Sequence, residues 1–218
     1  MKTTQLVLIP FLLYSFASYS QFNKGDKYLG GTISASTQRA PTIPGIYQNN
    51  VTNSISINSS LGFLLNEKIA VGGQIGYANY YYKNTSNPPY IIENKSPSYT
   101  IGVFAKRYYT ISDKFLFTMT GFFNSTRISN IYTLTYLPTD TTTQQKTQTY
   151  QLSTSIRPSF LFFPSPKWGF EASVGSISYV LGKDLSTGKN TNTFNINYGT
   201  LSLGLSYYFR KASQTNKN

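Results

Sequence analysis

The 218-residue sequence contains no cysteine and no histidine, and its 7 acidic residues face 19 basic ones. Without either missing residue type, no thiolate nucleophile, Ser-His relay, imidazole-ligated zinc or disulfide framework can be built. Charge is scarce altogether, at 12% of residues, while aromatics reach 16%. A salt-bridged, water-facing surface is therefore not what covers most of this molecule. Beyond residue 20 the chain also lacks any run of eighteen apolar residues, so no transmembrane helix is expected there.

The first twenty residues read as a secretory signal: Lys2, the apolar run Leu6 to Phe16, and small residues at Ser18 and Ser20. The apolar run is too short to span a bilayer, and cleavage is expected before Gln21. An exported chain without cysteine points to a bacterial envelope.

The rest of the chain alternates with period two. From Tyr198, Leu201, Leu203, Leu205, Tyr207 and Phe209 take one face, and Thr200, Ser202, Gly204 and Ser206 the other. The pattern recurs in Ile55–Phe63, Ile69–Tyr77, Ile101–Ala105 and Phe115–Phe123. It is noisier in Leu152–Phe162 and Trp168–Val174, and Leu29, Ile33 and Ala35 open the series. Eight strands result.

Their connections alternate in length. Leu65–Lys68, Ile111–Lys114 and Pro164–Lys167 are tight turns, each ending in Lys just before a strand. Residues 37–52, 83–97, 130–148 and 182–194 are long and rich in Asn, Thr, Ser and Pro, with turn formers at their midpoints: Pro44-Gly45, Pro88-Pro89, Pro138 to Asp140, and Thr187-Gly188. Such a meander can close into a barrel, which removes its exposed edges. Its polar face is Ser, Thr, Gly, Asn and Gln with few charges, which suits a narrow lumen, whereas the Leu, Ile, Val and Phe face suits lipid. Aromatics at the strand ends form two expected interfacial girdles: Tyr80, Tyr81 and Tyr82 on the long-loop side, and Phe63, Tyr108, Tyr109, Phe162, Trp168 and Phe209 on the short-turn side. The fold expected is thus all-β, an eight-stranded antiparallel up-and-down transmembrane β-barrel with short periplasmic turns and long extracellular hairpins. The competing reading is a secreted soluble lipocalin-like barrel that binds a small apolar ligand.

In its signal ending Ser-Tyr-Ser-Gln, its Ser-Asp-Lys-Phe turn after Arg107-Tyr108-Tyr109, and its last strand ending on an aromatic, the chain resembles the small eight-stranded outer-membrane β-barrel proteins, especially the Bacteroidota-type outer membrane protein beta-barrel domain. The resemblance covers residues 21–210, leaving 1–20 as signal peptide and 211–218 as a short polar C-terminal tail. It implies that Ser202, Gly204, Tyr207 and Phe209 form the membrane-insertion signal read by the barrel-assembly machinery. Family members usually stop at that aromatic, and this chain continues beyond Phe209. The resemblance also implies residence in the outer membrane and contact with its lipid and lipopolysaccharide.

The basic residues do not cluster outside Lys106-Arg107 and Arg210-Lys211, so no nucleic-acid partner is expected. Lys83, Lys95, Lys146, Lys183 and Lys189, on the long-loop side, could meet anionic lipopolysaccharide headgroups, although ordinary solvated loop charge explains them as well. With seven carboxylates, only Glu171 in mid-strand, and no histidine, no catalytic constellation, cofactor site or metal site is expected. By face parity Lys106, Arg157 and Glu171 point into the lumen, and Glu171 is expected to pair with Arg157 on the neighbouring strand, Lys106 adding field or a second bond. A bulge near Lys106-Arg107 would swap which of those two faces inward. Tyr132, Leu134 and Tyr136 keep alternating past the point where a membrane-crossing strand should end, which predicts a two-stranded ribbon turning at Pro138 to Asp140 as an interaction surface, the alternative being a mobile loop that shields the barrel mouth. A monomeric, non-enzymatic protein with a structural or surface-interaction role and a packed lumen is the expected function.

Overall fold

The computed structural model describes residues 22–39, 50–87 and 89–210. The signal assignment, the Pro44-Gly45 turn and the C-terminal tail lie outside these residues. The strands are β1 (Lys27–Arg39), β2 (Asn50–Leu64), β3 (Ile69–Asn87), β4 (Tyr90–Thr110), β5 (Phe115–Tyr136), β6 (Thr141–Phe162), β7 (Trp168–Asp184) and β8 (Asn190–Phe209). Each pairs antiparallel with its neighbour in sequence, and β1 closes on β8 from Lys27↔Phe209 to Ile33↔Leu203. The result is a closed eight-stranded up-and-down barrel.

The three Lys turns share one end and one device. The carbonyls of Lys68, Lys114 and Lys167 accept backbone N–H bonds of 2.8 Å from Tyr108, Phe163 and Tyr208, so each turn is tied to the end of a neighbouring strand. In the first turn the Asn66 side chain also accepts from the amides of Lys68 and Ile69, at 2.8 and 2.9 Å. Pro89, Asp140 and Gly188 lie at the opposite end, where Asp140 and Gly188 adopt φ of 50° and 71°.

The strands are longer than the alternation indicates. Residues 83–87, 90–97, 130–136 and 141–148, expected as loop or ribbon, continue the wall of the barrel. In 83–87 and 141–148 both faces carry polar residues, so the contrast between faces disappears there while the backbone ladder runs on. The ladders of β4 with β5 and of β5 with β6 reach Tyr90↔Tyr136 and Tyr136↔Thr141, making the β3 to β6 side of the wall taller than the β8–β1 seam.

Two layers of side chains result from the alternation. Outward-facing Ile75, Tyr99, Ile101, Val103 and Phe123 are more than half exposed (56–66%). Inside, the short-turn end is filled by Tyr28, Leu64, Phe104, Tyr108, Leu116, Leu161, Phe163 and Tyr208, all buried. Phe22, which precedes β1, enters this end, with ring centroids 4.7 Å from Tyr108 and 5.2 Å from Tyr208. Glycine makes room for these rings: a Cβ on Gly62 would collide with the Tyr28 ring, and one on Gly72 would lie 2.6 Å from Cζ of Phe104. Tyr108 therefore belongs to the interior, not to the short-turn girdle expected of it, because β4 places Tyr109 and Arg107 outward and Tyr108 between them. On the long-hairpin side the outward aromatics nearest the apolar belt are Tyr77 and Tyr99, 5.3 Å apart, and Tyr80–Tyr82 sit farther along the lengthened β3.

Candidate functional site

The interior changes character above the aromatic layer. Toward the long hairpins it is lined by small polar residues bonded across the lumen or along the wall: Gln74 Nε2 donates to Asn124 Oδ1 at 2.6 Å, Asn58 Nδ2 to Thr32 Oγ1 at 3.4 Å, and Thr100 and Thr126 share a 2.9 Å hydroxyl bond. The polar residues of alternating strands converge here because eight strands leave a lumen only a few side chains wide.

At the boundary of the two regions lie Lys106, Glu171 and Arg157. Lys106 Nζ donates to Glu171 Oε2 at 2.7 Å, with 8% and 11% of the two side chains exposed. Thr118 Oγ1 donates to the other carboxylate oxygen at 3.4 Å, and the ammonium stands 5.6 Å from the centroid of the Tyr28 ring. The ion pair thus spans the lumen from β4 to β7 instead of joining Glu171 to Arg157, the pairing expected from neighbouring strands. The reason is register. Glu171 faces Leu161 across the β6–β7 ladder, four residues along β6 from Arg157, and the ladder is irregular between Ile156 and Ser159, where Arg157 and Pro158 face three residues of β7. Arg157 instead lies opposite Thr120 of β5, its Cζ 5.0 Å above the Phe122 ring. No slip occurs at Lys106-Arg107, where β4 keeps register with both neighbours, and Arg107 points outward over Tyr109 at 5.1 Å. The same segment of β7 is irregular on its other side, where Gly175, with φ of 80°, interrupts the ladder with β8 between Val174 and Ser176.

Several participants had no distinctive sequence signal. Thr118 and Thr120 are ordinary polar positions of an alternating strand, yet both are essentially inaccessible, and Thr120 Oγ1 has no hydrogen-bond partner among the described residues. Phe22 lies outside every strand. Together with Phe163 and Tyr208 it stacks under the Arg210 guanidinium, whose carbon lies 4.9, 4.8 and 5.5 Å from the three rings. A cavity of about 40 Å³ remains beside the charges, bordered by Lys106, Thr120, Phe122, Arg157 and Glu171.

The other candidate residues are dispersed. Tyr132, Leu134 and Tyr136 lie on the far half of β5, but β4 backs them through Asn94, Ile92 and Tyr90, with the Tyr90 and Tyr136 rings 5.2 Å apart. The expected two-stranded ribbon is therefore part of a wider wall, because the β3–β4 hairpin is itself extended. Lys83 is bonded to Glu93 at 3.0 Å and Lys95 stands 5.8 Å over Tyr81, so two of the five upper lysines already have local partners. The Glu93 carboxyl is held below its usual range by the Lys83 ammonium and the Tyr81 hydroxyl, and Lys83 is held above its own by Glu93. In β8, Ser202 and Gly204 face inward, while Tyr207 and Phe209 face outward and pack edge-on 5.0 Å apart. Among the described residues there is no group of three or more acidic, His or Cys side chains able to hold a metal ion.

No protein-family model matches the chain, and no curated protein matches it. Solved structures similar to it include Ail, the attachment invasion locus protein of Yersinia pestis, at 12% identity and TM-score 0.43 over 85% of this chain and 99% of that one. Neisserial surface protein A (NspA) aligns at 14% identity and TM-score 0.41, covering 84% and 97%. The N-terminal beta-barrel domain of Pseudomonas aeruginosa OprF aligns at 11% identity and TM-score 0.39, covering 86% and 100%. At these identities and scores the likeness assigns no role to any residue.

Proposed function

We propose that this chain is a non-enzymatic, monomeric outer-membrane β-barrel protein whose long hairpins present a surface for interaction outside the cell. The observation that carries the proposal is the inverted burial of the barrel: Ile33, Ile57, Ile75, Ile101, Phe123, Phe170 and Leu203 stand 52–64% exposed around its outside, while Ser, Thr, Asn, Gln and an ion pair line the inside above the aromatic layer. On β4 this belt runs from Tyr99 to Tyr109, the length of a tilted strand crossing about 25 Å of hydrocarbon, with a tyrosine at each limit and the outward Arg107 over Tyr109 at the short-turn limit. A soluble lipocalin-like barrel requires the opposite arrangement, and so many exposed apolar side chains would make it aggregate.

With the belt in lipid, the Lys turns face the periplasm and the tall wall of β3 to β6 stands in the medium. Tyr207 and Phe209 of the last strand then sit at the inner interface, where the barrel-assembly machinery would read them together with Ser202 and Gly204. Lys146, Lys183 and Lys189, exposed near the upper rim, are free to meet lipopolysaccharide phosphates. The short-turn end is stoppered by Phe22, Tyr108, Phe163 and Tyr208, so the lumen is not a wide channel. The test is a boiled against an unboiled gel of the membrane fraction, with liposome swelling by reconstituted protein alongside. A faster-migrating unboiled band and no general porin-like swelling are expected. Recovery from the soluble fraction without heat-modifiable migration would refute the membrane assignment, and swelling would refute the packed lumen.

A further inference from the structure

The charges inside the barrel do not balance. Lys106 and Glu171 neutralise each other at 2.7 Å, and Arg157 adds a second cation to the same cavity. The guanidinium carries five N–H donors in a fixed fork. Its partners are the Phe122 ring beneath it, at 5.0 Å, and the more distant field of Glu171. A half-buried cation with apolar support on one face needs an acceptor in the plane of its N–H groups. Across the β5–β6 ladder, at the directly opposite position, is Thr120, whose hydroxyl is 1% exposed and lacks a hydrogen-bond partner among the described residues. Two sets of unused donors thus border one cavity.

We propose that this cavity is a binding site for one small monovalent inorganic anion of the halide class, held by the Arg157 guanidinium and the Thr120 hydroxyl. The Phe122 ring lies under the guanidinium carbon, and the Lys106 ammonium borders the same cavity and adds attraction. Charge sets the valence: one negative charge brings the cluster to neutrality, whereas a dianion would overshoot. Volume sets the size. About 40 Å³ holds on the order of three water-sized spheres, enough for a halide with residual water and too little for a sugar, a nucleotide or a phosphate ester. Occupation would also stiffen β6 where Arg157 lies outside the regular ladder with β7.

The test uses the full barrel in a nonionic detergent. Urea unfolding is compared at constant ionic strength in sodium chloride, sodium bromide and sodium gluconate, whose anion is too large for the cavity. Chloride and bromide should stabilise saturably over gluconate, the folded-to-unfolded ratio rising about 100-fold once free halide is about 100 times its Kd. Thr120→Val and Arg157→Gln should each abolish that difference. Should Arg157→Gln fail to fold, a crystal of the unaltered protein grown in bromide supplies a second measurement. An anomalous bromide peak between Arg157 and Thr120 is expected. Equal unfolding midpoints in chloride and gluconate, bromide found only on the outer surface, or water alone at the site overturns the proposal.

Discussion

Removing one member of the Lys106–Glu171 pair should be far more harmful than removing both. At 2.7 Å, with 8% and 11% of the side chains exposed, the two charges attract by about 6 kcal/mol at an effective dielectric of about 20. Desolvating them costs several kcal/mol per ion, so the intact pair contributes little relative to an apolar pair of similar volume. A single truncation leaves the desolvation without the attraction, and should cost about 3–5 kcal/mol. The two truncations should differ. Glu171→Gln leaves Lys106 and Arg157 as two like charges around one cavity, whereas Lys106→Met leaves the carboxylate still in the field of Arg157. Glu171→Gln is therefore the costlier change. The double variant Lys106→Met with Glu171→Leu should return to within about 1 kcal/mol of the parent or exceed it. Urea unfolding in phosphatidylcholine vesicles, followed by the fluorescence of the single tryptophan, Trp168, gives the double-mutant cycle. Single variants that each cost under about 1 kcal/mol, or a double variant whose cost is the sum of the singles, would show that the pair does not act as a buried, coupled unit.

Gly62→Ala should lower stability by about 1–3 kcal/mol, because the added methyl enters the ring of Tyr28, itself held against Tyr208 at 5.0 Å. Gly31→Ala, whose methyl would meet only the Asn58 carbonyl at 3.5 Å, should leave the unfolding midpoint unchanged or slightly raised, and equal losses in the two variants would contradict the packing argument. On intact cells, proteinase K should cut at the turn 137–140, while trypsin acts slowly at Lys146, which is held in the ladder opposite Ile131. Rapid tryptic cleavage there, mapped by mass spectrometry, would mean that the β5–β6 ladder frays above the belt. Beyond the belt, the Lys83–Glu93 pair should make the β3–β4 hairpin pH-sensitive. Glu93 titrates below its ordinary range in the folded chain, so its stabilisation is present above the unfolded carboxylate pKa and is lost as pH falls through the folded one. Lys83 titrates above its range, so its share persists at neutral pH and is lost as pH rises through the folded ammonium pKa. Amide protection over residues 82–95, measured against the intrinsic exchange rate at each pH, should therefore fall in acid in the parent and respond less in Glu93→Gln, and identical acid responses would dismiss the pair as a determinant.

The order of strands, their antiparallel meander and the end at which each described turn lies were legible in the residues themselves. Ile55 to Phe63 or Leu201 to Phe209 can bury or expose only alternate side chains, and Leu65–Lys68 is too short to cross a barrel. The length of the strands was not legible. Alternation reports a difference between two environments, and the Thr-, Asn- and Gln-rich extensions of β3 and β6 present polar residues to both sides. Inward and outward faces came from parity at Lys106 and Glu171, but parity says nothing about which groups meet across a lumen. That depended on register: Glu171 faces Leu161 of β6 while Arg157 lies beside Thr120 of β5, which left Glu171 to Lys106, 65 residues away in sequence. Phe22 shows the same limit. A lone aromatic before the first strand has no periodicity to mark it, and it acquires a position only once Tyr108, Phe163 and Tyr208, brought from three different strand ends, enclose a space of its size. Local pattern determined the strands because a strand's two faces are a property of adjacent residues; the stopper and the ion pair required tertiary structure because their partners become neighbours only when the sheet closes on itself.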